Sequence, residues 1–366
     1  MMSATVFLCS KLGMVTGMGI AGALRKYYSR WLLYPVVIGV LAANILEAGA
    51  DIGAIAACLR LIIPAPVTGI TIAITLVILA IQTWGSYELV QRMFKWLTIA
   101  LFAYIGSAVL AKPDLGQVLW ATITPKLQFN REYLAMLVAI FGTRLSPYMY
   151  FWQASQEVEE QAVIGHPQLR PEATDEELNY AKWDVNIGMF FSNLIVYFII
   201  LGTAATLYQA GERNISSAYE AAQALRPLAG KAASLLFAIG VIGVGILAVP
   251  VLTTGPAYAL AETFGWRHGL DHRPEHAKEF YAVIVLSTFV ALAIGFSGIN
   301  PITALLWSSV LMGLLAPPLM VIIMLITGNR EIMGHRVNGL WVTIIGWATT
   351  VVISAAAIGL IWSWLT

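Results

Sequence analysis

Long apolar stretches separated by short clusters of charge run from one end of the chain to the other. Leu61 to Tyr87, Val185 to Gly211, Ala232 to Ala261 and Val337 to Thr366 contain no charged residue. Each exceeds the ~20 residues that a helix needs to cross a hydrocarbon core. Phe280 to Asn329 is also uncharged but too long for one crossing, and the turn-forming run from Gly295 to Pro301 divides it into two spans. Trp31 to Ile63, which carries Glu47, Asp51 and Arg60, Phe94 to Ala111, and Tyr133 to Gln156, with Arg144 at its centre, complete nine spans. Met1 to Ser10 is too short to cross alone and lacks the basic region and small-residue cleavage site of a signal peptide. Helical continuation through Lys11 and Val15-Thr16-Gly17 to Leu24 predicts a tenth, shortened span.

Composition agrees with this pattern. Of 366 residues, 59% are hydrophobic and only 11% charged, less than half of what a soluble domain carries. The chain therefore reads as an all-α, polytopic membrane protein. Lys plus Arg (21) nearly balances Asp plus Glu (20), so no global charge points to nucleic acid. Cys9 and Cys58 lie in apolar surroundings without zinc or disulfide spacing and are expected to be reduced core residues. Placing the Arg25 to Arg30 loop in the cytoplasm also puts Arg92, Lys95, Arg170, Lys182, Arg330 and Arg336 there, which satisfies the positive-inside bias. That orientation puts the C-terminus on the periplasmic side of a bacterial inner membrane.

Chemistry is expected where polar groups sit at membrane depth. In Gly142-Thr143-Arg144-Leu145-Ser146-Pro147-Tyr148, Pro147 has no amide hydrogen, so a helix break there frees carbonyls while Thr143 and Ser146 add hydroxyl oxygens. The structural alternative is a proline kink healed by neighbouring helices. Arg144 in mid-span requires a partner, and an acidic one is expected. Glu47 and Asp51, four residues apart, share a helix face and suggest an ion path, a proton site or the partners of Arg144 or Arg60. Asn186 and Asn193 read as helix glue. His268, His272 and His276 with Asp271 and Glu275 resemble a metal cluster, but Gly269 and Pro274 interrupt the helix that would align them, so a solvated loop is expected. The acidic run Glu157, Glu159, Glu160 likewise reads as a solvated face. No GxSxG, HExxH or Walker motif is present, so neither a membrane hydrolase nor an ATP-driven pump is supported, and the chain reads as no enzyme.

Phe141 to Glu160, FGTRLSPYMYFWQASQEVEE, resembles the broken sixth helix of Nramp-type divalent-metal transporters, in the bacterial branch with Ser-Pro-Tyr where the best-known members have Met-Pro-His. VTGMGIAGALRKYY (Val15 to Tyr28), GADIGA (Gly49 to Ala54), AVPVLTTGPAYALAE (Ala248 to Glu262) and NPITALLWSSVLMGLLAPP (Asn300 to Pro318) follow in the family's order and spacing. The resemblance implies one transmembrane transporter domain with the LeuT-type inverted-repeat fold. Residues 1–111 would be the remainder of the first repeat, 131–327 the second, and 337–366 an extra C-terminal helix. It also implies a first helix bearing an Asp-Pro-Gly or Asp-Pro-Ser motif, which would precede Met1.

Several positions depart from the family pattern. Ser146 replaces the methionine, Tyr148 the histidine and Ala54 an acid one turn after Asp51, while Arg144 stands where a small or hydroxyl residue is usual. An oxygen in place of a thioether favours harder dications. The resemblance thus implies transport of a divalent cation, Mg²⁺ or Mn²⁺ before Fe²⁺, with weak or no proton coupling and no cofactor. The metal ligands would be Thr143, Ser146, Tyr148 and Asp51, with Glu47, Asn44, Arg144 and Ser309 along the ion path. Only the bilayer and the metal ion are implied as partners. An open, partly polar cleft is expected between the 44 to 54 face, the broken helix and Ser308-Ser309. The alternatives are a non-transporting remnant or a mis-started reading frame and, less favoured, an organic-solute symporter on the same fold.

Overall fold

The computed structural model describes the chain except residues 85–100, 125–127, 129, 164–172, 213–214, 216, 271 and 366. The start of the 94–111 span, Arg92, Lys95, Arg170 and Asp271 lie outside the described residues. Among those described, every regular element is a helix. In chain order they are α1 (Met2–Thr16), α2 (Ile20–Tyr27), α3 (Arg30–Leu59), α4 (Val67–Trp84), α5 (Leu101–Leu110), α6 (Leu115–Ile123), α7 (Arg131–Arg144) and α8 (Pro147–Val163). They continue as α9 (Asp175–Thr203, extended by a π-turn over Ala204–Tyr208), α10 (Ala218–Phe264), α11 (Lys278–Phe296), α12 (Pro301–Gly328), α13 (Arg330–Met333) and α14 (Leu340–Leu365). Seven helical segments, α7–α8 counted as one, are long and apolar enough to cross a membrane, and α1–α2 makes an eighth as a bent pair. The shorter apolar helices α4 and α5 border the undescribed 85–100 segment. Every one of the ten expected spans thus contains a described helix.

Helix starts follow capping chemistry. Asn130 accepts a hydrogen bond from the Tyr133 amide, Thr174 and Glu177 form a reciprocal capping box, and Asn300 accepts from the Ile302 and Thr303 amides ahead of Pro301. Some expected boundaries shift. Pro64 and Pro66 delay α4 to Val67, and α9 begins at Asp175, ten residues before its apolar run, because Asp175, Glu176 and Glu177 suit a helix N-terminus.

The N-terminal span differs more. Continuous helix to Leu24 is expected from the sequence, but α1 stops at Gly17, which adopts the left-handed conformation (φ 62°), and α2 departs at 63°. Glu262, buried near the end of α10, fixes the bend. Its Oε2 accepts from the Gly22 amide at 2.9 Å and its Oε1 from Ser155 Oγ of α8 at 3.2 Å. A carboxylate against the first turn of a helix satisfies an amide that has no intrahelical partner and meets the positive end of the helix. We expect Glu262→Ala to cost about 1–2 kcal/mol, the upper range for a lost N-terminal cap, and to speed amide exchange in 19–27 selectively. Unchanged exchange there would refute the clamp.

The core is organised around α3, which packs on α10, α12 and α11, while α12 also packs on α7 and α14. α9 lies at the periphery, with Ile187, Phe190 and Ile200 exposed in the manner of a lipid-facing surface.

Candidate ion site

Pro147 opens α8 and is the cause of the break. It cannot donate to the Thr143 carbonyl four residues back, and its ring disfavours helical continuation from α7. α7 closes with Leu145 N donating to Phe141 O at 2.7 Å, Leu145 leaves helical geometry (φ −114°, ψ 45°), and α8 opens with Met149 N donating to Ser146 O at 3.1 Å. Ser146 is buried, and its hydroxyl lies 2.7 Å from Gly142 O and 2.9 Å from Thr143 O. The Ser146 proton therefore covers the carbonyls that the break orphans, while its oxygen lone pairs stay available. Thr143 spends its hydroxyl proton on Ala139 O at 2.7 Å, and its residue is exposed.

Tyr148, one residue beyond the proline, joins the break to α3, because its phenol lies within electrostatic range of Glu47, Asp51 and Arg144. Glu47 and Asp51 interact with each other and keep partial exposure, although their helix is packed on several sides. Asn44, one turn before Glu47, is completely buried, and among the described residues neither of its amide atoms has a hydrogen-bond partner. Ser309 is half-buried on α12 where that helix meets α7. The close approach depends on glycine, since a Cβ on Gly142 would collide with the Ser309 carbonyl and one on Gly313 with the Val138 carbonyl. We expect Gly142→Ala to destabilise the detergent-solubilised protein by about 1–3 kcal/mol, as overpacking does. A melting temperature equal to the parent's would show that the helices part without cost.

Arg144 corrects one expectation. Among the described residues no carboxylate lies within 4.0 Å of its guanidinium. Its Nη2 instead donates to Ser192 Oγ at 3.0 Å and Asn193 Oδ1 at 3.2 Å, and lies 3.4 Å from the Met2 sulfur. Glu47 and Asp51 are thus not its ion-pair partners. They sit on α3, whereas the guanidinium turns to α9, where Nη2 meets two neutral oxygens while the buried Nε has no hydrogen-bond partner among the described residues. Asn193 is helix glue as its type suggests, its Oδ1 accepting from Arg144 of α7 while its Nδ2 donates to Met189 O of its own helix at 2.7 Å.

The acidic run on α8 is only partly a solvated face. Glu160 is exposed, but Glu157 accepts from Ser10 at 2.7 Å and Gln153 at 2.9 Å, and Glu159 accepts from Tyr258 at 2.5 Å and from the Leu270 amide at 3.0 Å. Helix-end carboxylates are bonded where hydroxyls of α1 and α10 face them. A cavity of about 330 Å³ opens beside this region, with Glu157, Glu176 and Asp184 in its lining. In the 265–277 loop, His268 faces Trp266 O at 2.9 Å, and no group of three or more metal-ligating side chains forms among the described residues.

The Nramp family, natural resistance-associated macrophage protein-like, matches residues 1–363. The chain belongs to the Nramp family. It is 25% identical over 354 residues to the divalent metal cation transporter MntH of Klebsiella pneumoniae subsp. pneumoniae, covering 94% of this chain and 80% of that protein. To MntH of Deinococcus radiodurans it is 26% identical over 369 residues, covering 98% and 79%. Its fold superposes on an Eremococcus coleocola manganese transporter, solved with an aromatic bis-isothiourea substituted compound, with a TM-score of 0.68 at 19% identity, covering 99% of this chain and 78% of that one. The LeuT-type architecture, helical throughout the described residues, is thereby shared with that solved manganese transporter.

Around the Nramp motif the structure gathers groups that sequence spacing does not show. Tyr104 of α5 is buried within electrostatic range of Asp51 and packs edge-on against Phe237, ring centres 5.6 Å apart. Gln82 of α4 donates to Thr253 at 2.9 Å and Thr254 at 3.2 Å, tying α4 to α10. A lone tyrosine or glutamine in an apolar helix carries no signal of its partner. Ser192 does carry one, adjoining Asn193 in the stretch Ile187 to Leu201, which is otherwise apolar but for Tyr197.

Proposed function

We propose that this chain carries divalent cations, Mg²⁺ or Mn²⁺, across a bacterial inner membrane with weak or no proton coupling. The observation that carries the reading is the α7–α8 break at Leu145-Ser146, with Tyr148 joining it electrostatically to Glu47 and Asp51. Ser146 and Tyr148 offer neutral oxygens and Asp51 the anionic charge, a hard-donor set suited to a dication that keeps several waters. Thr143 serves through its carbonyl, which accepts from Ser146 and keeps a second lone pair, because its hydroxyl proton is spent on Ala139 O. Glu47 and Ser309 flank the path. Broken helices at midplane bind ions because their unpaired carbonyls replace hydration water, and residues 131–327 would rock against 1–111 around them. The names of the MntH relatives and of the manganese transporter support the substrate class.

Proteoliposomes containing the purified chain, loaded with a Mn²⁺- or Mg²⁺-responsive dye and a pH dye, provide the test. We expect saturable dication entry with little lumenal acidification. No entry through protein shown to be folded and inserted would overturn the transport reading, and stoichiometric acidification would overturn weak coupling.

A further inference from the structure

We propose that Asn44 and Glu47 form a second cation station on α3, one turn from Asp51, with Asn44 Oδ1 as a direct ligand. This rests on the reading that the chain passes a divalent cation. Asn44 is 0% exposed, and both its Nδ2 and Oδ1 lack a hydrogen-bond partner among the described residues. A buried amide without partners is costly and is rarely retained. Helix glue does not account for it. Asn193, which does join helices, has both amide atoms engaged, by Arg144 and by Met189 O.

Spacings of three and four residues at 100° per residue keep Asn44, Glu47 and Asp51 within about 60° of one face. The unpaired amide therefore lies on the same side as the two partly exposed carboxylates. Its flanking residues Ala43 and Ala48 are fully buried and offer no polar group. Glu47 sits one turn from each neighbour, so it can pair with Asn44 below or Asp51 above. The result is a ladder of oxygens about 10 Å long at 1.5 Å per residue. A dication leaving the Asp51–Ser146–Tyr148 region would meet one carboxylate and one amide oxygen there. Its remaining positions would be filled by water, an arrangement that Mg²⁺ and Mn²⁺ accept.

The test measures Mn²⁺ binding to the detergent-solubilised full chain by electron paramagnetic resonance, in an Asp51→Asn background that isolates the station. Adding Asn44→Leu is expected to weaken Mn²⁺ at least about tenfold, a loss at the level seen when metal-site support is removed. Adding Asn44→Asp, which keeps the oxygen, should preserve binding or tighten it. Metal-free Asn44→Leu should melt at or above the parent temperature, because the substitution removes an unpaired buried amide. An unchanged Mn²⁺ affinity in the Asn44→Leu protein overturns the station. So does a lower metal-free melting temperature, which would mean that Asn44 has a structural partner. Loss of all binding in Asp51→Asn alone overturns the station while leaving the transport reading intact. Absence of Mn²⁺ binding by the parent chain overturns both.

Discussion

Asp51→Asn is expected to reduce dication uptake by about a hundredfold while the protein stays folded. Two unit charges 4 Å apart interact by about 4 kcal/mol at an effective dielectric of 20, and a dication doubles that figure. Much of the gain is offset by stripping water from the ion and the carboxylate. A remainder of about 2.8 kcal/mol corresponds to two decades of affinity or rate. Asp51 makes no hydrogen bond or salt bridge found among the described residues, and Asn has almost the same volume, so the fold loses little. Initial Mn²⁺ entry into proteoliposomes, normalised to inserted protein, measures the effect. A rate within threefold of the parent would remove Asp51 from the ion path and shift the anionic role to Glu47.

The span-level architecture is legible because apolar runs longer than a bilayer is thick have few alternatives, and each of the ten contains a described helix. The ends are less so. An uncharged run marks only the apolar part of a helix, so the sequence pattern starts this span at Val185, whereas the capping box and acidic first turn start α9 at Thr174–Asp175. Gly in an apolar helix is common and gives no sign of the bend at Gly17, and the departing helix α2 is held through its Gly22 amide by Glu262, 240 residues away in sequence. Pro147 was the strongest local signal at the site, since its missing amide acts on its own helix whatever surrounds it. Charge pairing failed as a guide for Arg144. Opposite charge at membrane depth is the obvious partner, yet one guanidinium nitrogen bonds two neutral oxygens of α9, and Nε is buried with no hydrogen-bond partner among the described residues. The family resemblance placed Asn44 on the ion path, but only packing shows that its buried amide has no hydrogen-bond partner among the described residues.

Arg144→Met is expected to lower the KM for dication uptake by about tenfold. The guanidinium interacts electrostatically with Tyr148, whose phenol also interacts with Glu47 and Asp51. No carboxylate within 4.0 Å neutralises it among the described residues. A positive charge about 10 Å from a dication repels it by roughly 3 kcal/mol at a dielectric of 20, and water and counterions reduce that to about half. Half of it is a decade of affinity. The tether to Ser192 and Asn193 is a separate contribution, and Arg144→Lys separates the two. Lysine keeps the charge but not the planar fork, so KM should stay near the parent value while stability falls by about 1–3 kcal/mol from unmatched polar groups. Methionine also loses the tether, but it removes a charge that costs about 2.5–3.5 kcal/mol at mid-membrane on insertion scales, so its stability should stay close to the parent's. A KM that is unchanged or higher in Arg144→Met would show that the guanidinium acts only as a brace between α7 and α9. A KM lowered equally by lysine and methionine would place the effect in the tether and not in the charge.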